Sequence, residues 1–196
     1  MIDTYFISDT HFGHKNILEY EKEARPFDSL EEMNEKIIEN WNKTVRPKDI
    51  IYHLGDFAFG RDNVAIAGRL NGRKKLILGN HDLHDCRLYL TYFEQVYGAL
   101  HWKRCILTHV PVHPSNLGNR FWINVHGHLH SKTVQTPVEG WNEIQTTAHP
   151  IPILVRKPFD NEFEDDLSYF NVSCEQNNLT PIHADVIRER LKEIDE

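Results

Sequence analysis

Seven side chains able to bind a metal ion, Asp9, His11, Asp56, Asn80, His109, His128 and His130, fall in five short segments of the chain. Asp9-Thr10-His11 sets a carboxylate and an imidazole two positions apart. Gly55-Asp56 adds a second carboxylate, and Gly79-Asn80-His81-Asp82 adds an amide oxygen with another imidazole beside it. His109 stands alone, and Gly127-His128-Leu129-His130 supplies two imidazoles, again two positions apart. Each pattern alone recurs freely in proteins. Together they describe a mixed imidazole and carboxylate donor set, which suits Mn, Fe, Zn, Co or Ni better than Ca. Such cations acidify water and so support hydrolysis near neutral pH.

Apolar runs precede all five segments and must position them. Thr4–Ser8, Asp49–Leu54, Lys75–Leu78, Arg104–Thr108 and Phe121–Val125 read as strands that end at or next to a donor. Helical patterns lie between them, which indicates an α/β layer architecture with ligands beyond the strand ends. Asp28 or Ser29 caps a helix reaching about Lys43, with Glu31 or Glu32 completing a capping box. Leu30, Met33, Ile37 and Trp41 give that helix an apolar face. Shorter helical patterns cover 62–70 and 86–92, Tyr169–Cys174 reads as a last core strand, and Pro181 opens a C-terminal helix packed through Ile182, Val186, Leu191 and Ile194. Residues 131–166 carry Pro137, Pro150, Pro152, Pro158 and an acidic run, and are expected to form an excursion with a hairpin around Ile151–Arg156. Glycines beside Asp56, Asn80 and His128 suggest tight backbone turns toward the ions.

The 196 residues, 40% of them apolar, suit a single domain spanning 1–196. No apolar run approaches the roughly 18 residues of a membrane span, and no secretory leader is visible. A net charge of −7 argues against a nucleic-acid surface but is compatible with a small phosphorylated partner held through cations. The three cysteines (Cys86, Cys105, Cys174) lack metal-motif spacing, so a reducing, cytoplasmic setting is expected. Nothing in the sequence sets the oligomeric state.

The five motifs, in this order, resemble the calcineurin-like metallophosphoesterase family, whose pattern is Asp-x-His, Gly-Asp, Gly-Asn-His-Glu or Gly-Asn-His-Asp, His, then Gly-His-x-His. The resemblance covers about residues 4 to 130 and reaches to about 175. It implies a four-layer α/β/β/α sandwich and two divalent transition-metal ions, Mn before Fe, Zn, Ni or Co. It assigns Asp56 as the bridge, Asp9, His11 and His130 to one ion, and Asn80, His109 and His128 to the other. A water or hydroxide between the ions would then be the nucleophile. His81 resembles the family histidine that contacts phosphate and protonates the leaving oxygen, with Asp82 orienting it through a ring N–H. The implied activity is phosphoester hydrolysis, with a diester somewhat favoured over a monoester and nucleotides as plausible substrates. His14, Asn116 and Arg120 are candidate substrate contacts, and Trp122 and Trp141 could stack a base. His53 and His126 read as core histidines; His84, His101, His113, His149 and His183 read as surface or loop residues. The competing reading is a non-catalytic scaffold of the same fold that binds proteins. Retention of His81 and all seven donors speaks against it.

Overall fold

The computed structural model describes residues 1–146 and 149–195, with side chains for 1–138 and 162–194. In chain order the elements are β1 (Thr4–Ile7), α1 (Ile17–Tyr20), α2 (Leu30–Thr44), β2 (Ile50–His53), β3 (Arg73–Ile77), α3 (Cys86–Tyr89), β4 (Gln95–Tyr97), β5 (Leu100–Trp102), β6 (Cys105–Leu107), β7 (Ile123–His126), β8 (Gln135–Thr146), β9 (His149–Asp165), β10 (Tyr169–Asn171), β11 (Ile182–His183) and α4 (Ala184–Asp195). The helical pattern over 62–70 is realised as a 3-10 segment, Arg61–Arg69. The chain divides into two compact units, Met1–Lys132 with Ser168–Glu196, and Thr133–Leu167.

The first unit holds two sheets, ordered β11-β1-β2-β3-β4 and β10-β7-β6-β5. Strands β1 to β4 run parallel, as do β6, β7 and β10, while β11 and β5 are antiparallel to their neighbours. Period-two alternation divides the buried side chains between two cores. Tyr5, Ile7, Ile51 and Leu76 join Met33, Ile37 and Trp41 of α2 on one face of the larger sheet. Phe6, Tyr52 and Ile77 point the other way and meet Leu107, Ile123 and Val125 of the second sheet, with Ile187 of α4 in the same cluster. The result is the expected layered α/β architecture, with paired sheets face to face and α2 outside the larger one.

Ser29, not Asp28, caps α2: its Oγ accepts from the Glu32 N–H at 3.1 Å, and the Glu32 carboxylate accepts from the Asp28 N–H at 3.2 Å. The C-terminal helix starts three residues later than Pro181 suggests. Ile182 instead pairs with Phe6 in the β11–β1 ladder. Within the helix Ile187 is buried, while Val186 and Ile194, expected to pack, are exposed. Strands β4 and β5 are three residues each, too short to show a period in sequence.

The second unit is an antiparallel ribbon of β8 and β9. Its hairpin is not centred on Ile151–Arg156, all of which lies within β9; Thr146 pairs with His149, and the two residues between them are outside the described set. Both strands of a two-stranded ribbon are edges, so prolines interrupt pairing less than they would inside a sheet. Glu162, Glu164 and Asp165 of the acidic run are exposed.

Candidate metal centre

The parallel strands converge at their C-terminal ends. Ser8, after β1, forms a parallel bridge with Ser173, after β10: the Ser8 N–H donates to Val172 O at 3.0 Å and the Cys174 N–H to Ser8 O at 3.1 Å. This bridge joins the ends of the two sheets. Further backbone bonds, Asp9 N–H to Gly55 O, His11 N–H to Asp56 O and Gly127 N–H to His109 O, lock neighbouring donor loops together.

Two donor groups result, Asp9 with His11 and His130, and Asp56 with His109 and His128; within each, the ligand atoms lie within 4.8 Å of one another. Asn80 joins the second group through Oδ1, 3.0 Å from His109 Nε2. One oxygen faces both groups: Asp56 Oδ2 is 3.7 Å from His11 Nε2 and 3.3 Å from His109 Nε2.

The hydrogen bonds leave lone pairs aimed inward. Asp9 Oδ2 accepts from Ser8 Oγ at 2.6 Å, Ser173 Oγ at 2.9 Å and the His128 N–H at 3.0 Å. Asp9 Oδ1 and His11 Nε2 are buried without a hydrogen-bond partner. His109 Nδ1 faces the Leu54 carbonyl at 2.8 Å, so it must be the donor there. The other nitrogen of the neutral ring then presents a lone pair toward Asn80 Oδ1 and Asp56 Oδ2, both electron-rich. Buried acceptors facing one another require positive charge among them, so these donors fit a pair of cations. The electrostatics agree. Burial would raise the Asp9 carboxyl, but His11, His109 and His130 hold it well below the usual range. Burial would lower His109 and His130, yet Asp56 beside the first and Glu175 beside the second raise both.

Backbone conformation marks the same residues. Asp9, His11, Asp56, His128 and His130 all have left-handed φ, between 49° and 67°. For non-glycine residues such conformations cost of order 1–3 kcal/mol each and persist where surrounding contacts impose them. The glycine expectation holds for conformation at Gly55, whose φ is +97°. At Gly79 and Gly127 the reason is space instead: an added Cβ would stand 2.1 Å from Asp56 Oδ1 and 2.3 Å from Ser8 Oγ, respectively.

His81 sits at the mouth. Its side chain is 41% exposed, Nε2 is 3.9 Å from Asp56 Oδ2, and its N–H donates to Asp56 Oδ1 at 2.9 Å. Asp82 does not orient the His81 ring. Its carboxylate accepts the N–H groups of Asp56 at 2.8 Å, Gly79 at 2.9 Å and Phe57 at 3.1 Å, clamping the loops after β2 and β3. His14 lies beside this mouth, 5.3 Å from His11 and 6.2 Å from His81 between ring centroids. Burial, then His11 and His81, push its pKa down to about 4.

Asn116 and Arg120 are engaged elsewhere: the Asn116 amide donates to His113 O, and the Arg120 guanidinium lies over Phe121. Neither contact involves the donor groups. Trp122 is covered on one face by the Arg104 guanidinium at 4.4 Å. The Trp141 side chain lies outside the described residues. His53 is buried and links Thr10 Oγ1, at 3.0 Å, to the Gly55 N–H, at 3.3 Å.

Two supporting residues carry no sequence signal. Glu175 Oε1 accepts from His130 Nδ1 at 2.9 Å and Arg25 Nε at 2.7 Å, with both Arg25 and Glu175 side chains fully buried. Arg25 also donates to Asp9 O and, at 3.3 Å, to Thr10 O. Glu175 thereby leaves His130 Nε2 free to face Asp9 Oδ1 at 3.8 Å. The 150 positions separating Arg25 from Glu175 hide the pair from any motif.

This fold and donor set define a metallophosphoesterase: residues 2–185 match the calcineurin-like phosphoesterase family model, and the chain belongs to that family. It is 33% identical over 189 residues to an uncharacterized protein of Methanocaldococcus jannaschii, covering 93% of this chain and 88% of that one. It is 29% identical to the gene 66 protein of Mycobacterium phage D29, covering 74% of this chain and 86% of the phage protein. The crystal structure of a protein of unknown function from Aquifex aeolicus superposes with a TM-score of 0.64 at 26% identity, covering 96% of this chain and 99% of that one. The family and the two donor groups together support metal-dependent phosphoester hydrolysis. Among the described residues, no helix is long and apolar enough to cross a membrane.

Proposed function

We propose that this chain hydrolyses a small phosphodiester, of nucleotide type, with two divalent transition-metal ions, manganese foremost. The carrying observation is Asp56 Oδ2, which faces an imidazole nitrogen of each donor group at 3.7 and 3.3 Å and so suits a bridge. Asp9, His11 and His130 would hold one ion, and Asn80, His109 and His128 the other. When bound, the ions would supply Lewis acidity, activating water and neutralising phosphoryl oxygens. Glu175 and Leu54 O fix the ring orientations of His130 and His109, so neither ring must reorganise on binding. His81, exposed at the mouth, would move a proton to the departing oxygen. The scaffold reading gains no specific support, since all seven donors converge with His81. The three free cysteines are compatible with a reducing, cytoplasmic setting.

The test is hydrolysis of bis(p-nitrophenyl) phosphate with Mn²⁺, Ni²⁺ and Mg²⁺. Asp56→Asn should abolish turnover and reduce bound metal. His81→Ala should lower kcat by roughly 10²–10⁴-fold while keeping bound metal. Absence of turnover of both monoester and diester probes with every divalent ion would sink the proposal.

A further inference from the structure

We propose that Phe59, stacked on His14 with Tyr20 beyond it, forms a stacking platform for a planar ring on the leaving-group side of the substrate, and that this ring is a nucleobase carried by the departing alcohol. The inference rests on the phosphoester reading above. A proton donor to the departing oxygen marks where the leaving group lies, so the groups beyond His81 are those the leaving group meets. They are aromatic. The Phe59 ring centroid is 5.7 Å from that of His81, and Phe59 stacks on His14 at 4.4 Å with 14° between planes. Tyr20 continues the row, 6.2 Å from His14.

Phe59 is 44% exposed and Tyr20 69% exposed. Single exposed apolar residues are ordinary. The backbone that carries this one is held in place. The Phe59 N–H donates to Phe12 O at 2.7 Å, and Asn63 Nδ2 donates to Phe59 O at 2.7 Å. Gly13 makes room for that anchor, since a Cβ there would stand 2.0 Å from Asn63 Nδ2. With its backbone pinned on both sides, Phe59 presents a half-exposed ring beside the mouth of the site. A preorganised aromatic face favours a flat π-system over an aliphatic chain of equal area. Nucleobases stack on such faces whatever their sequence, because every base presents a π-face.

The test compares methyl phosphodiesters of adenosine, linked through the 5′ oxygen, with the same ester of ribose lacking its base. The departing alcohol is then adenosine in one and ribose in the other, leaving through the same 5′ oxygen with methyl phosphate as the second product, and only the base differs. The Mn²⁺-loaded protein should prefer the adenosine ester by about ten-fold in kcat/KM. In Phe59→Ala that ratio should fall toward one, and in Phe59→Trp it should recover, with bound metal measured in each variant to confirm an intact centre. Equal turnover of the two esters by the native protein, or an unchanged ratio in Phe59→Ala, would overturn the proposal. Turnover of bis(p-nitrophenyl) phosphate but of neither ribose ester would also overturn it, leaving the phosphoesterase reading intact. No turnover of any of the three, nor of a monoester probe, with Mn²⁺, Ni²⁺ or Mg²⁺ would remove both.

Discussion

Gly79 and Gly127 show how much of the centre is decided by side chains packing where a Cβ would otherwise be. Asp56 and Asp9, two of the seven donors, occupy the space a Cβ would need at these glycines. Gly127→Ala or Gly79→Ala should therefore displace a carboxylate. Each should reduce bound metal measured by elemental analysis, with little loss of helical circular dichroism. Asp82 was legible as a residue beside the site but not in its role. Its position next to His81 suggests an orienting carboxylate, whereas its oxygens are taken by three backbone N–H groups. Adjacent residues in a turn point in different directions, and the sequence does not say which.

The elements deliver the donors because their strands run parallel, placing all the C-terminal ends together. The opposite ends are fixed by Asp49, whose Oδ1 accepts from the Asp3 N–H and Oδ2 from the Arg46 N–H, each at 3.0 Å. Burial alone would raise this carboxyl. The Arg46 guanidinium and the two N–H groups outweigh it and bring the pKa down to about 2, below its ordinary 3.8. A depressed carboxyl contributes stability that is complete above its unfolded pKa and lost as pH falls through the folded value. Asp49→Asn should lower stability at neutral pH, and it should shrink the acid-side loss between about pH 4 and 2 in urea unfolding series. The last helix tests its revised register. Ile187→Asp should destabilise strongly because Ile187 is fully buried, whereas Val186→Asp, 45% exposed, should be nearly silent in the same assay.

Across the first unit, a buried ion pair ties the two sheets to one centre. Arg25 holds carbonyls of the Asp9-Thr10 loop after β1, and Glu175 holds His130 after β7. Removing one partner of a fully buried pair leaves an uncompensated charge, at a cost on the order of 3 kcal/mol. Arg25→Met should destabilise the protein by about that amount in urea unfolding. Adding Glu175→Gln should restore part of the loss, because the double variant no longer buries a lone carboxylate. A double variant no more stable than Arg25→Met would show that the pair does not act as a unit.

By itself the sequence picked out seven candidate donors, the strand preceding each segment and the family, because metal chemistry demands specific residue types and buried strands demand apolar runs. It also determined α2, whose cap and apolar face are local patterns. The tertiary structure alone decided that Ile182 belongs to a strand, that Asp82 clamps backbone, and that Arg25 and Glu175 buttress His130. It alone also brought Asp56 Oδ2 within 3.7 Å of His11 in the other donor group. These facts depend on chain segments distant in sequence meeting in space, and on left-handed backbone conformations at Asp9, His11, Asp56, His128 and His130. Such conformations are favoured by glycine and disfavoured in Asp and His, so only the contacts of the folded molecule hold them in place.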